Sequence, residues 1–136
     1  RDNIDEAKVE AYVVRLYDKA LDRKEVAKWE IDYWKTAIMT GKEPNSGQEN
    51  VYDPASVIAT GFLNSQEYLN RNRSDEEFLT DLYASFFGRE PDEEGFRYWL
   101  VRLDKGYSRR RIILEGFGTS VEFRKLLEEY GFVITN

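Results

Sequence analysis

The stretch "GREPDEEGFRYWL", Gly88–Leu100, decides the fold, because a glycine, a proline and four acidic residues run directly into an aromatic pair. Gly88 is expected to end a helix, since glycine readily adopts positive φ. Proline is favoured in the first turn of a helix, and carboxylates there face the positive end of the helix dipole. The stretch therefore predicts a corner between two helices, with Pro91 and Asp92 in the first turn of the second.

The segments on both sides of this corner have helical periodicity. In "SDEEFLTDLYASFFG", Ser74 and Glu77 have the spacing of a capping box. An apolar face at i, i+4 spacing follows, formed by Phe78, Leu79, Leu82, Tyr83, Phe86 and Phe87. After the corner, Phe96, Trp99 and Leu103 share a second apolar face. Gly106 is expected to end that helix, Ser108 to cap the next, and Thr119 or Ser120 to start the last.

The chain contains an internal repeat, which has to be recognised before the fold can be assigned. "YVVRLYDKALDR" (12–23) matches "FLTDLYASFFGR" (78–89), and "IDYWKTAIMTG" (31–41) matches "FRYWLVRLDKG" (96–106). "GFLNSQEY" (61–68) matches "GFGTSVEF" (116–123), and the offset between the copies falls from 65 to 55 residues before this match. The polar Gly/Pro/Asn segment of the first copy accounts for the difference and is expected to be a loop.

These patterns predict an all-α protein, a compact bundle of about seven to eight helices built from two fused helical repeats. Residues 1–136 are expected to form a single domain. The first repeat covers about 4–72 with an inserted loop at 42–54, and the second covers about 74–131. Trp34 and Trp99 are expected at equivalent, largely buried positions.

Composition disfavours several classes of function. The net charge of −6 argues against a nucleic-acid partner, because such binding depends on basic patches. The chain contains neither histidine nor cysteine, and so lacks the commonest metal ligand, the commonest general base and any thiolate. No apolar run approaches the roughly 20 residues of a membrane span. We therefore expect no enzymatic activity, no cofactor and no membrane insertion. Separately, we interpret the chain as a piece of a longer polypeptide.

Calcium binding is the most specific alternative for the corner. Glu90, Asp92, Glu94 and Gly95 occupy positions 1, 3, 5 and 6 of an EF-hand-like frame. Position 12, which requires an acid, is Val101. The acidic start of a helix is therefore favoured over a metal site.

Two further features have more than one interpretation. Trp29 lies about 140° around its helix from Trp34, away from the core stripe. Three interpretations of Trp29 are open. The inserted loop covers it through Val51 and Tyr52, or the ring is exposed and anchors a partner, or the ring is exposed without a binding role. The basic cluster, Arg109 to Arg111, also has two interpretations. It pairs, together with Arg89, with the acids of the corner, or it binds an anionic partner. The candidate partner-binding residues are Trp29, Tyr52, Arg109, Arg110 and Arg111.

The second copy resembles the bacterial domain of unknown function 4214, whose pattern is LY, LGRxPDxxG, YW, a glycine-ended helix and FxxSxEF. The first copy keeps much of this pattern but has "DRKEVAKWE" (22–30) in place of the corner. We treat the signature residues as structural. They are Leu82, Tyr83, Gly88, Arg89, Pro91, Asp92, Gly95, Tyr98, Trp99, Gly106, Phe117, Ser120, Glu122 and Phe123.

The resemblance implies a setting more than an activity. The family is similar to the helical linker domains of phycobilisomes, which hold other proteins together, and its members tend to occur inside larger secreted or surface proteins of bacteria. The resemblance therefore implies a non-catalytic module with a structural or protein-interaction role, in an extracellular or cell-surface setting. The expected partner is an unidentified protein or a flanking domain of the same polypeptide. The alternative is a glycan-binding module, for which coplanar exposed aromatic rings would be the distinguishing feature.

Overall fold

A computed structural model describes residues 4–40 and 61–132, and every regular element in these ranges is helical. In chain order the elements are α1 (Glu6–Leu21), α2 (Lys28–Thr40), α3 (Gln66–Leu69), α4 (Asp75–Phe87), α5 (Glu93–Asp104), α6 (Arg109–Arg111), a π-helix (Ile112–Phe117) that continues α6, and α7 (Val121–Glu129). The predicted all-α bundle is confirmed. The predicted inserted loop, 42–54, lies outside the described residues.

Two long helices, α1 and α4, pack against each other at the centre of the bundle. The helices α2 and α3 pack on α1, while α5 and α7 pack on α4. The apolar face predicted for α4 is confirmed, because all its members are buried except Phe87, which is partly buried against the core. On α1 the buried face consists of Val9, Tyr12, Val13, Leu16, Tyr17, Ala20 and Leu21.

Predicted caps start and end these helices. Ser74 and Glu77 form the capping box at the start of α4, and Gly88 ends this helix with φ of 69°. The predicted caps Ser108 and Ser120 each accept a backbone N–H through the hydroxyl oxygen, and Ser65 caps α3 in the same way. Because these caps satisfy N–H groups that have no partner within the helix, local sequence sets where each helix begins.

The helix after the corner begins one position later than predicted. Asp92 is the N-cap of α5, and its Oδ2 accepts the backbone N–H of Gly95 at 3.0 Å. Pro91 therefore precedes the helix instead of lying in its first turn. The reason is that an aspartate at the N-cap satisfies a free helical N–H, and its extended backbone (φ −72°, ψ 153°) postpones the helix to Glu93.

Polar contacts lock the two halves of the bundle together. The guanidinium of Arg15 on α1 donates to the carbonyls of Ser85 and Phe86 at the end of α4, at 3.3 and 3.0 Å. Within the first half, Arg71 donates to the carbonyl of Ala20 near the end of α1. A cation at the C-terminal end of a helix also interacts favourably with its dipole.

A buried carboxylate joins α3 to α4. Asp81 is only 5% exposed. Its Oδ2 accepts from the Tyr68 hydroxyl at 2.7 Å, and Arg73 donates to both carboxylate oxygens at 2.9 Å. Burial and this carboxylate together raise the pKa of Tyr68, so the hydroxyl stays a donor.

The tryptophans of the two expected copies lie at the edge of the core. Trp34 and Trp99 are partly buried, so the expectation of large burial was too strong. Each indole has a core phenylalanine on one side, Phe62 for Trp34 and Phe117 for Trp99, with centroids 4.9 and 5.7 Å apart. Both indoles belong to helices that pack on the outside of the central pair, α2 on α1 and α5 on α4, and both remain partly exposed.

Candidate functional site

An open groove of about 330 Å³ surrounds Trp29, near the start of α2. Its walls come from the end of α1, from α2 and from the segment 61–67. Trp29 is 71% exposed, the highest fraction among the exposed large hydrophobic side chains of the described ranges. Tyr33 and Trp34 continue the aromatic surface along α2 into the groove. We call this the Trp29 groove.

Arg23 organises the polar side of the Trp29 groove. Its Nη2 donates to Glu30 at 2.7 Å, and its Nε donates to Glu67 at 3.0 Å. The guanidinium lies over the ring of Tyr17, 4.7 Å from the centroid. Hydrogen bonds from Arg23 hold the pKa of the Glu30 carboxyl below its usual value, so this ion pair stays charged at neutral pH.

The other polar groups of the groove are also paired internally. The indole nitrogen of Trp34 donates to the hydroxyl of Tyr17 at 2.8 Å. Burial is the main cause that raises the pKa of Tyr17 to about 12. Ser65 donates its hydroxyl to the carbonyl of Phe62 at 2.7 Å. The groove therefore offers an apolar ring framed by polar groups that already have partners.

A closely similar cluster lies around Arg89 on the other half of the bundle. Arg89 pairs with Glu122 at 2.8 Å, and its guanidinium lies 5.1 Å from the centroid of the Tyr83 ring. Burial raises the pKa of Tyr83, and a hydrogen bond from Trp99 acts in the opposite direction. Ser120 donates to the carbonyl of Phe117 at 2.8 Å, just as Ser65 donates to Phe62.

A glycine lies directly beneath each of the two indoles. A Cβ atom on Gly61 would lie 2.4 Å from Cζ3 of Trp34, and one on Gly116 would lie 2.3 Å from Cη2 of Trp99. These separations are far below van der Waals contact. Glycine is therefore required at both positions by the close approach of a ring, since neither residue has positive φ.

The acidic corner is a capped helix start. Arg89 lies 3.7 Å from Asp92, and the backbone N–H of Gly95 lowers the pKa of the Asp92 carboxyl. Glu93 pairs along the helix with Arg97. Across residues 4–40 and 61–132, no three side chains of the Asp, Glu, His and Cys types are grouped so that they would hold a metal ion.

The three arginines of α6 have different surroundings. Arg109 donates to Asp75 at 3.0 Å and to the carbonyl of Arg73 at 2.8 Å, which ties the start of α6 to the start of α4. Its acidic partner is thus Asp75 instead of an acid of the corner. Arg111 pairs with Glu115 at 2.8 Å on the surface. Arg110 is exposed.

The remaining sequence-derived candidates divide into three groups. Tyr52 and Val51, which were expected to cover Trp29, lie outside the described residues. The family-signature residues Leu82, Tyr83, Phe117 and Phe123 are buried, and Gly88 and Gly106 have φ of 69° and 99° where helices end. Tyr98 differs from the other signature rings because it is 49% exposed.

Sequence reasoning missed the acidic partners Glu30 and Glu67 in the Trp29 groove. A usable signal existed, because Arg23 matches Arg89 and Glu67 matches Glu122 in the aligned copies. An arginine and a glutamate that recur together at two places indicate a contact between them. The Arg23–Glu67 and Arg89–Glu122 ion pairs have this geometry.

The family of the chain follows from its similarity to a family model. The model described as Domain of unknown function (DUF4214) matches residues 59–127, which are 69 of the 136 residues. The chain belongs to the DUF4214 family. No curated protein and no solved structure matches it.

The DUF4214 match divides the Trp29 groove. Gly61 and Glu67 lie inside the matched residues, whereas Arg23 and Trp29 lie before them. The Arg89 cluster and the corner lie entirely within the DUF4214 match. Within the two described ranges, no helix of this DUF4214 protein has the length and apolarity needed to cross a bilayer.

Proposed function

We propose that the chain is a non-catalytic protein-interaction module, with the Trp29 groove as its recognition surface. The observation that carries this proposal is the 71% exposure of Trp29 beside polar groups that are paired with one another. Binding hot spots in protein interfaces are enriched in tryptophan and are surrounded by groups that exclude water without contributing much energy. The Trp29 groove has this composition.

We also propose that the module contains two copies of one helical unit, the first of them degenerate. Each unit has an arginine stacked on a tyrosine and paired with a glutamate, and an indole packed on a glycine. In each unit two helices pack together, α1 with α2 and α4 with α5. A further helix packs on the first helix of each pair, α3 on α1 and α7 on α4. The recurrence of several independent contacts at aligned positions supports duplication over chance similarity.

The proposed setting is a larger secreted or surface protein of a bacterium, in which the module holds a partner protein or a flanking domain. This part of the proposal is based on the resemblance of the second copy to its family and, through it, to the linker domains of phycobilisomes. A linking role suits a module whose polar side chains are largely occupied in holding its own helices together.

Glycan binding is the alternative, and the groove supports it less well. Sugar recognition combines flat aromatic stacking with hydrogen bonds from groups that are free to reach hydroxyls. In the Trp29 groove Arg23, Glu30 and the Trp34 indole nitrogen already have partners. The rings of Tyr33 and Trp34 meet at 78°, so they do not form a coplanar platform.

The experiment compares wild type with Trp29→Ala and with Val121→Ala as the matched control. Val121 is also an exposed apolar residue, 67% exposed, and lies on α7 away from the groove. Proteins from the producing cell's envelope that crosslink to wild type are purified, whatever their dependence on Trp29. Their affinities are then measured by calorimetry. Removing an anchoring tryptophan is expected to weaken binding by about 2 kcal/mol or more.

Two results would contradict the proposal. One is a purified partner that binds Trp29→Ala as tightly as wild type. The other is a glycan array in which neutral oligosaccharides bind wild type and lose binding in Trp29→Ala. The stability of Trp29→Ala serves as the check on folding, and we expect it to differ from wild type by less than about 0.5 kcal/mol, because the side chain is exposed.

A further inference from the structure

A second surface feature, unrelated to the Trp29 groove, lies between the end of α5 and the π-helix. It is a cleft of about 230 Å³ lined by Tyr98, Trp99, Arg102, Tyr107, Arg111, Ile112 and Glu115. We call it the Arg102 cleft. It shares no lining residue with the Trp29 groove.

Arg102 lines the cleft and packs on the ring of Tyr98. Its guanidinium carbon lies 3.3 Å from the centroid of the Tyr98 ring, and its Nη1 donates to the Tyr98 carbonyl at 3.2 Å. The neighbouring cations Arg97 and Arg111 pair with carboxylates. Arg102 makes no ion pair with any residue in 4–40 or 61–132. Its remaining N–H groups therefore point to no protein anion in the part of the chain that the structure describes.

A second stacked arginine also lines the cleft. The backbone N–H of Tyr107 donates to the carbonyl of Arg102 at 3.0 Å, which fixes the turn after α5. Arg111 lies over the Tyr107 ring, 3.9 Å from the centroid, and donates to Glu115 at 2.8 Å. The cleft thus has two guanidinium groups and one carboxylate, a local positive charge on a protein of net charge −6.

We propose that the Arg102 cleft binds the carboxylate of an acidic side chain from a partner protein. A guanidinium offers planar, paired N–H donors that match a carboxylate, and stacking on Tyr98 lowers the entropy cost of ordering the side chain on binding. Because Arg111 is paired with Glu115, the net positive charge of the cleft is that of Arg102.

The size and the ring geometry of the cleft favour a protein side chain over a sugar. Pockets for small molecules usually have about 300–1,000 Å³, and this cleft is smaller, which fits a single side chain. The rings of Tyr98 and Trp99 are perpendicular, at 90°, so they offer no flat platform for a sugar ring. The charge of Arg102 selects an acidic residue.

The test uses the intact chain and an N-acetylated, amidated hexaglutamate peptide as the probe. Heteronuclear NMR follows the Nε–H signals of the arginines and the indole N–H of Trp99 during titration. We expect the Arg102 and Trp99 signals to move, and hexaglutamine to leave them in place. Arg102→Gln is expected to weaken binding about tenfold or more, because a charge-assisted hydrogen bond is lost.

Arg97→Gln is the matched control, since Arg97 lies on the same helix, is exposed and is paired with Glu93 outside the cleft. It is expected to retain the wild-type affinity. Arg102→Lys keeps the charge but not the planar stack, and is expected to bind more weakly than wild type and more tightly than Arg102→Gln. This variant also tests the site without loss of charge.

Three results would overturn the assignment. The first is hexaglutamate that does not bind wild type, or that binds wild type and Arg102→Gln with equal affinity. The second is movement of signals only outside the cleft. The third is tighter binding of an acidic oligosaccharide, hexagalacturonate, than of the peptide at Arg102. Because Trp29 lies outside this cleft, each of these results leaves the proposal for the Trp29 groove intact.

Discussion

Replacing Gly116 by alanine tests whether the indole of Trp99 is seated on the backbone of the π-helix. In a helix, glycine is less favourable than alanine by roughly 0.5–1 kcal/mol, so the substitution would normally stabilise the protein. Here the added Cβ would lie 2.3 Å from Cη2 and 2.5 Å from Cζ2 of Trp99. The ring has to move by about an ångström, and overpacking of this kind costs about 1–3 kcal/mol.

We therefore expect Gly116→Ala to destabilise the wild-type protein by up to about 2.5 kcal/mol, the difference between these two effects. In a Trp99→Leu background the ring atoms that clash are gone, and the same substitution should stabilise by up to about 1 kcal/mol. The sign of the effect thus depends on the indole. Double-mutant cycles of this kind report the interaction between two residues directly.

The assay is urea denaturation followed by far-ultraviolet circular dichroism, because the helical signal remains when Trp99 is replaced. Equal cost of Gly116→Ala in both backgrounds would refute the steric argument. Gly61 and Trp34 provide the matched cycle in the other half of the bundle, where the Cβ contact would be 2.4 Å. Opposite signs in the two cycles would contradict the proposed equivalence of the two copies.

Three other predictions concern the polar contacts and the corner. Asp81→Asn is expected to destabilise the protein by about 2–3 kcal/mol in urea titrations, because the buried Tyr68 hydroxyl and Arg73 lose a charged acceptor. A cost below about 0.5 kcal/mol, typical of a surface change, would contradict this. The lowered pKa of Glu30 contributes stability that is present above its unfolded value of 4.5 and lost as pH falls through the folded value. The gap in urea midpoint between wild type and Arg23→Gln should therefore narrow from pH 7 to about pH 3, and a constant gap would be evidence against the Arg23–Glu30 pair. Calcium or a chelator should leave the melting temperature unchanged, and a shift of several degrees would reinstate a metal site at the corner.

Much of the fold was predictable because it depends on local rules. The capping box at Ser74, the positive φ of Gly88 and the apolar face of α4 all follow from residues within one or two turns. The corner was assigned to the right place but with Pro91 inside the helix, since proline and aspartate compete for the first positions and the winner depends on backbone geometry.

Long-range contacts were less accessible to sequence reasoning. Periodicity placed Trp34 and Trp99 on apolar faces but did not indicate that α2 and α5 are outer helices, which leaves both rings partly exposed. The π-helix has no sequence signal that we recognise. In the Trp29 groove, the direction of Trp29 was predicted from helical angles, whereas the pairing of Arg23 with Glu30 depends on the turn between α1 and α2.

The proposed alignment of the two copies distinguishes residues that maintain the fold in both copies from Trp29, which has no such role. Trp29 and Glu94 are aligned, and each is the second residue of its helix. Glu94 is exposed there, where a carboxylate favours the helix dipole. Trp29 at the same position gains nothing from the dipole and exposes a large apolar ring to water. The stacked arginine, its glutamate and the indole on glycine recur in both halves, where the arginine–glutamate pairs join the segments after α1 and α4 to α3 and α7. A tryptophan that makes none of these contacts adds little to folding, and its burial against a partner would recover the cost of its exposure. The groove around Trp29 is therefore the surface at which we propose that the first copy binds a partner and the second copy does not.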